Sequence, residues 1–261
     1  MSMLTPTTTT PLARGGAIPL LGFGTWQLEG DGAYTNTRDA LEIGYRHIDT
    51  ATGYGNEEQV GSAIRDSGIG REQIYVTTKC PPSRAGRELE TLEQSLKLLG
   101  LEHVDLWLVH WPPNGEARPD TWEQFIIARQ SGKAGAIGVS NYSIGQIDEL
   151  IGATGEPPAL NQIPWNPFAY DPTTVEALAR RGVVLEGYSP LKRSDLEDAT
   201  LIEVAESHGK SPAQIILRWH LEHGFVVIPR SARRERIEQN FALFDFELTT
   251  SEIARIDALA F

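Results

Sequence analysis

Eight short apolar runs recur along the chain with helix-patterned stretches between them, and this rhythm limits the possible folds more than any other feature. The runs lie at Leu20–Gly24, His47–Ala51, Ile74–Lys79, Val104–His110, Ala136–Ser140, Leu160–Pro164, Val183–Tyr188 and Phe225–Pro229. Runs so short and so continuously apolar read as strands buried on both faces. Between them Val60, Ala63, Ile64 and Ser67 share one helical face, as do Leu89, Leu92, Leu96 and Leu99, and again Ile144, Ile147 and Ile151. Ser143 suits an N-cap, as does Ser211 with Pro212 at the first helical position. Eight strand–helix alternations call for parallel strands joined by helical crossovers. Eight such units close most simply into an α/β fold of the (β/α)8 TIM barrel type. Two segments fall outside the pattern: an extra helix after strand seven, at Thr200–His208, and a C-terminal helix near Thr250–Leu259. An open doubly wound sheet would carry G-x-G-x-x-G after its first strand, and Gly22-Phe23-Gly24-Thr25-Trp26 lacks the third glycine. No linker-like stretch divides the chain, so residues 1–261 are expected to form a single barrel domain.

The charge balance narrows the partners. A net charge of −12 argues against nucleic acid and anionic membranes. Against that background Arg230, Arg233, Arg234 and Arg236 cluster with only Glu235 opposing them, which points to a specific small anionic ligand. Cys80 is the one cysteine, too few for an intrachain disulfide or a thiolate metal site, and reads as a small core residue at a strand end. The Thr-rich segment Met1–Gly16 lacks the apolar core of a signal peptide, and no run approaches a membrane span. These features lead to the expectation of a cytoplasmic protein, with a monomer as the default.

In such a barrel, reactive groups gather where strands end on the C-terminal face. Asp49 ends the second run, Tyr54 lies in the loop beyond it, Lys79 closes the third run and His110 the fourth. A tyrosine keeps its proton at neutral pH, since its reference pKa is about 10. An ammonium about 4 Å away favours the phenolate by roughly 4 kcal/mol at an effective dielectric near 20, so Lys79 is expected to lower the pKa of Tyr54. Asp49 would keep Lys79 charged and oriented, and His110 would hold a substrate oxygen toward Tyr54. The group suits proton donation to a carbonyl oxygen while hydride arrives at carbon. Taken singly, each residue has a bland reading: a buried ion pair, a core histidine, a loop tyrosine. Together, at three successive strand ends, they carry the argument. A metal-dependent hydrolase is the weaker alternative, because His47 has no H-x-H partner and no metal ligand set is expected.

At this point the sequence resembles the aldo-keto reductase superfamily. Gly44-Tyr45-Arg46-His47-Ile48-Asp49-Thr50-Ala51, followed by Tyr54, Glu57 and Val60-Gly61, is similar to its first signature, and Asp49, Tyr54, Lys79 and His110 match its catalytic tetrad. The likeness extends through Leu20–Trp26, Val109-His110-Trp111-Pro112 and Gly138-Val139-Ser140-Asn141. Arg233-Arg234-Glu235-Arg236 and Phe244-Asp245-Phe246 resemble the bacterial 2,5-diketo-D-gluconate reductase branch. The resemblance implies NADPH as cofactor. Ser140, Asn141 and Gln162 would bind the carboxamide, Tyr188 would stack on the nicotinamide, and Ser189 and Leu191 would follow the pyrophosphate. Thr25, Trp26 and Asp49 are implied to border the cofactor too. Arg230, Ser231, Arg233 and Arg236 would grip the adenosine 2′-phosphate, with Gln239 and Asn240 on the adenine side. Arg230 stands where the family commonly has Lys, and Gln239 where it often has Glu.

The resemblance makes Trp26 and Trp111, with Tyr54 and His110, the substrate pocket. Short loops at Pro112–Pro119 and Lys192–Ala199, and a chain ending at Phe261, lead to the expectation of an open pocket. It would take small aldehydes and activated ketones, dicarbonyls and keto-sugar acids among them. The competing reading is a non-catalytic barrel that senses NADPH, against which the intact tetrad argues.

Overall fold

The computed structural model describes residues 4–14 and 16–260. An antiparallel hairpin comes first, β1 (Thr9–Pro11) against β2 (Ala17–Pro19). It is absent from the eight apolar runs because Thr-rich strands of three residues carry almost no alternation. Its one fully buried side chain is Ile18.

The barrel strands are β3 (Phe23–Gly24), β4 (His47–Asp49), β5 (Tyr75–Cys80), β6 (Val104–Val109), β7 (Ala134–Ser140), β8 (Leu160–Pro164), β9 (Val184–Tyr188) and β10 (Val226–Ile228). Each pairs in parallel with the next. The ring closes where Leu21 bridges Val227 and the Gly22 N–H donates to the Val227 carbonyl at 2.9 Å. Every expected run overlaps one of these strands, and the (β/α)8 barrel is the fold.

Helices α1 (Gly30–Ile43), α2 (Glu57–Asp66), α3 (Glu88–Leu99), α4 (Pro119–Gln130), α5 (Ile144–Thr154) and α6 (Pro172–Arg180) follow β3 to β8 in turn. After β9 come the expected extra helix, α7 (Ala199–His208), and the crossover helix α8 (Pro212–Glu222). After β10 come α9 (Arg234–Phe241) and the C-terminal α10 (Thr250–Asp257). Among the described residues no helix is long and apolar enough to cross a membrane.

Local chemistry explains several of these boundaries. Ser143 and Ser211 both form capping boxes: each hydroxyl accepts from the backbone N–H three residues on, while Gln146 and Gln214 accept from the cap N–H groups at 2.8 and 3.1 Å. Such a cap is worth about 1 kcal/mol. The helical faces are as patterned, with Val60, Ala63, Ile64, Leu92, Leu96, Leu99 and Ile147 buried against the barrel. Ser67 sits just past α2 as its C-cap, and Leu150, ahead of Ile151, completes the buried face of α5. Gly61 has no alternative residue: a Cβ there would lie 2.6 Å from the Leu99 Cα, so the glycine is what lets α2 pack on the end of α3. Cys80 ends β5 in the core, and burial, aided by the Glu88 charge, pushes its thiol up to about 12. That makes it an inert packing residue.

Candidate active site

At the C-terminal ends of the strands lies a cavity of ≈ 1120 Å³. Its floor is built from β4, β5 and β8. Parallel pairing sets Asp49 beside Thr77, so Lys79, two residues further along β5, projects inward just above it. Lys79 is fully buried, and its Nζ donates to Asp49 Oδ1 at 2.6 Å, to the Thr50 carbonyl at 2.8 Å and to the Tyr54 hydroxyl at 3.3 Å. Burial works to lower the Lys79 pKa, but the Asp49 charge and the hydrogen bond to it help raise it, so the ammonium persists. Tyr54 is placed by a 3-10 turn over Thr52–Tyr54, closed by Gly55 at φ 68°. The His110 ring meets it edge-on, with centroids 5.6 Å apart.

Lys79 does pull the Tyr54 pKa down, as expected, through its charge and its hydrogen bond, but it does not set the net shift. Burial outweighs the pull of Lys79, and Asp49 and Glu186 push the same way as burial, so the Tyr54 pKa is raised. The hydroxyl therefore holds its proton securely until another group draws on it. His110 is pushed down to about 3 by burial and by the Lys79 charge, so its imidazole is neutral at working pH.

Beside this quartet the three amide and hydroxyl residues are tied together. Ser140 Oγ donates to the Gln162 carbonyl at 2.8 Å and accepts from Asn141 Nδ2 at 2.9 Å. Asn141 holds a left-handed φ of 64° and its Oδ1 accepts from the Tyr188 hydroxyl at 2.8 Å. Gln162 Nε2 donates to Asp49 Oδ2 across the barrel and to Glu186 Oε2 on the neighbouring strand, both at 2.9 Å. Glu186 is fully buried, and burial together with the Asp49 charge pushes its carboxyl up to about 8. His47 lies beneath it, with Nε2 3.9 Å from Glu186 Oε1, and burial with the Lys79 charge pushes the ring down to about 3.

Further along, Tyr188, Ser189 and Leu191 line one wall, and Ser189 adopts φ 52°. Arg230, Ser231, Arg233, Arg236, Gln239 and Asn240 line the far end. Arg233 and Arg236 make no ion pair among the described residues. Arg233 is the N-cap of α9 and its side chain makes no cap bond; its own N–H donates to Ser231 Oγ at 3.1 Å, and the Arg236 N–H donates to the Arg233 carbonyl at 3.1 Å. Arg230 is already engaged, donating to the carbonyls of Trp26 (3.0 Å) and Gln27 (3.1 Å). Arg234 turns away to Asp39, Glu42 and Glu238. At the mouth Trp26 and Trp111 stand 41% and 49% exposed, large values for tryptophan. Lys192 lies over the Trp26 ring at 4.9 Å, reaching it from the opposite wall.

Two of the sequence candidates do not line the cavity. Lys79 is sealed beneath Tyr54. Thr25 is also fully buried, and its hydroxyl donates to the Asp49 carbonyl at 3.0 Å, so it props the floor. Sequence reasoning missed Glu186 and Asn56. Asn56 is buried and donates to the Thr25 and Leu28 carbonyls, both at 2.9 Å, locking the Trp26 loop to the Tyr54 loop.

The sequence pattern of the Aldo/keto reductase family matches residues 20–260. The glyoxal reductase of Bacillus subtilis (strain 168) is 39% identical over 255 residues, 96% of this chain and 92% of that protein. The crystal structure of an aldo/keto reductase from Brucella melitensis superposes with a TM-score of 0.93 at 43% identity, covering 97% of this chain and 99% of that one. The structure of a Bombyx mori aldo-keto reductase in complex with NADP gives a TM-score of 0.90 at 34% identity, covering 98% and 94%.

Proposed function

The chain belongs to the aldo/keto reductase family, and from that premise we propose that it reduces small aldehydes and activated ketones with NADPH, Tyr54 giving the proton. The observation that carries this reading is the Tyr54 hydroxyl, 3.3 Å from the buried Lys79 ammonium beside a neutral His110 at the base of the cavity. Held by Gln162, Tyr188, Arg233 and Arg236, the cofactor would supply hydride to the carbonyl carbon. His110 holds the carbonyl oxygen near the Tyr54 hydroxyl. As charge grows on that oxygen, Tyr54 transfers its proton, and the nascent phenolate is stabilised by Lys79, whose own charge Asp49 sustains. The alcohol then carries the hydride on carbon and the proton on oxygen.

The residues present fit the cofactor. Gln162 Oε1 and the Tyr188 ring face the end where the nicotinamide would lie, and the free cations Arg233 and Arg236 face the other. The position of these cations at a helix N-terminus supports the phosphorylated dinucleotide. Replacing Arg236 by Ala is expected to weaken NADPH binding about tenfold, the worth of one charge-assisted hydrogen bond, and to leave NADH binding unchanged. Fluorescence titration with both cofactors checks this. The exposed Trp26 and Trp111 walls, and the glyoxal reductase relative, favour small dicarbonyls as substrates. Oxidation of NADPH by the purified protein on adding glyoxal tests the activity.

The neutral His110 sets the pH dependence. Its folded pKa is depressed to about 3, so it gains no proton between pH 5 and 7. The rate of reduction is therefore expected to be flat over that range. Were a His110 imidazolium the proton donor, the rate would instead fall as pH rises across that range.

A further inference from the structure

Glu186 lies below the cavity floor and touches neither the proposed substrate site nor the open cleft, yet it is one of two groups that fix Gln162. The Gln162 side chain has one amide to orient. Its Nε2 is pinned between Asp49 Oδ2, which reaches across from β4, and Glu186 Oε2, its register neighbour on β9, both at 2.9 Å. The opposite orientation would set the amide oxygen against the ion-paired Asp49 carboxylate, which is repulsive in a buried site. Gln162 lines the cavity, and among the described residues no hydrogen bond uses its Oε1. Glu186 spends nothing elsewhere: its Oε1 is buried without a hydrogen-bond partner, and the nearest candidate, His47 Nε2, is beyond hydrogen-bond reach at 3.9 Å. A carboxyl group placed in a barrel core at the cost of an orphaned oxygen calls for a reason.

We propose that Glu186 is a positioning residue, which, with Asp49, orients the Gln162 amide so that only its oxygen faces the cavity, as an acceptor for the –NH2 of the nicotinamide carboxamide. The role rests on the NADPH-binding reading above. It also ties cofactor placement to the proton-donating group, because Asp49 accepts from Lys79 through one oxygen and from Gln162 through the other. The nicotinamide is thereby registered against the same carboxylate that keeps Lys79 under Tyr54. Removing Asp49 would disturb both functions together. Removing Glu186 disturbs the amide alone.

The test compares NADPH with its 3-acetylpyridine analogue, in which a methyl replaces the carboxamide –NH2. Wild type is expected to bind NADPH about five- to tenfold more tightly than the analogue, the worth of one hydrogen bond. In Glu186→Leu the amide keeps only its Asp49 anchor and can swing about that one contact, and the ratio is expected to fall to half the wild-type value or less. Glu186→Gln keeps an acceptor oxygen for Gln162 Nε2 and is expected to keep the wild-type ratio. If the leucine variant does not fold, Glu186→Met, closer in volume, carries the same expectation. A leucine or methionine variant with the wild-type ratio, a glutamine variant that loses it, or a wild type that does not discriminate overturns the positioning role. A wild type that binds NADPH not at all overturns the cofactor reading itself, so the two failures are distinct.

Discussion

Replacing Lys79 by Met is expected to lower stability by about 3–5 kcal/mol and to reduce turnover by at least about 100-fold. The stability loss follows from what remains behind. Lys79 is fully buried and gives its protons to Asp49, the Thr50 carbonyl and Tyr54, and its removal strands a carboxylate where water does not reach. Breaking one partner of a buried pair costs this much because the survivor's desolvation is no longer offset. The activity loss has a different origin: the phenolate formed on Tyr54 would have no adjacent cation. A second substitution separates the two. Adding Asp49→Asn removes the stranded charge, so the double variant is expected to recover most of the stability, read from urea midpoints, and none of the turnover. A double variant with restored turnover would show that Lys79 acts only as a structural counter-ion.

The barrel could be read from the sequence because its strands are buried on both faces, and apolar stretches such as Leu106–Val109 and Ala136–Val139 stand out from amphipathic helices. The hairpin over Thr9–Pro19 could not, since its strands are three residues long and mostly threonine and proline. The cap residues Ser143 and Ser211 were legible because capping is local chemistry, decided within four residues.

The site divides along the same line. Asp49, Lys79 and His110 were found because strand ends in a barrel converge, and Tyr54 because its loop follows one of them. The inward turn of Thr25 was not legible, because adjacency to Trp26 says nothing about which side of the loop a hydroxyl takes; here it donates to the Asp49 carbonyl. Glu186 was missed although a signal existed: an acidic residue in Val184-Leu185-Glu186-Gly187-Tyr188, an otherwise apolar strand. Its partner Gln162 is on the adjacent strand, but the far end of the link, Asp49, lies across the barrel, and such cross-barrel contacts leave no spacing in the sequence. The pull of Lys79 on Tyr54 was legible, but the net acidity of Tyr54 was not, for a related reason. A pairwise estimate with Lys79 alone omits the burial of the phenol and the second carboxyl group beneath it.

The central claim is that Tyr54 gives the proton. Its side chain makes this unusually clean to test, because the phenol ring packs on His110 at 5.6 Å while the hydroxyl's one hydrogen bond among the described residues is to Lys79. Tyr54→Phe thus keeps the ring, the fold and the ion pair, and removes one oxygen. General-acid catalysis typically contributes 10²–10⁴-fold, so turnover should fall by about 10³-fold. The decisive measurement is the paired assay on Tyr54→Phe and wild type: NADPH affinity by fluorescence quenching, and NADPH oxidation with glyoxal. The expected result is unchanged NADPH affinity with turnover lost. A Tyr54→Phe protein that reduces glyoxal at the wild-type rate would contradict the account.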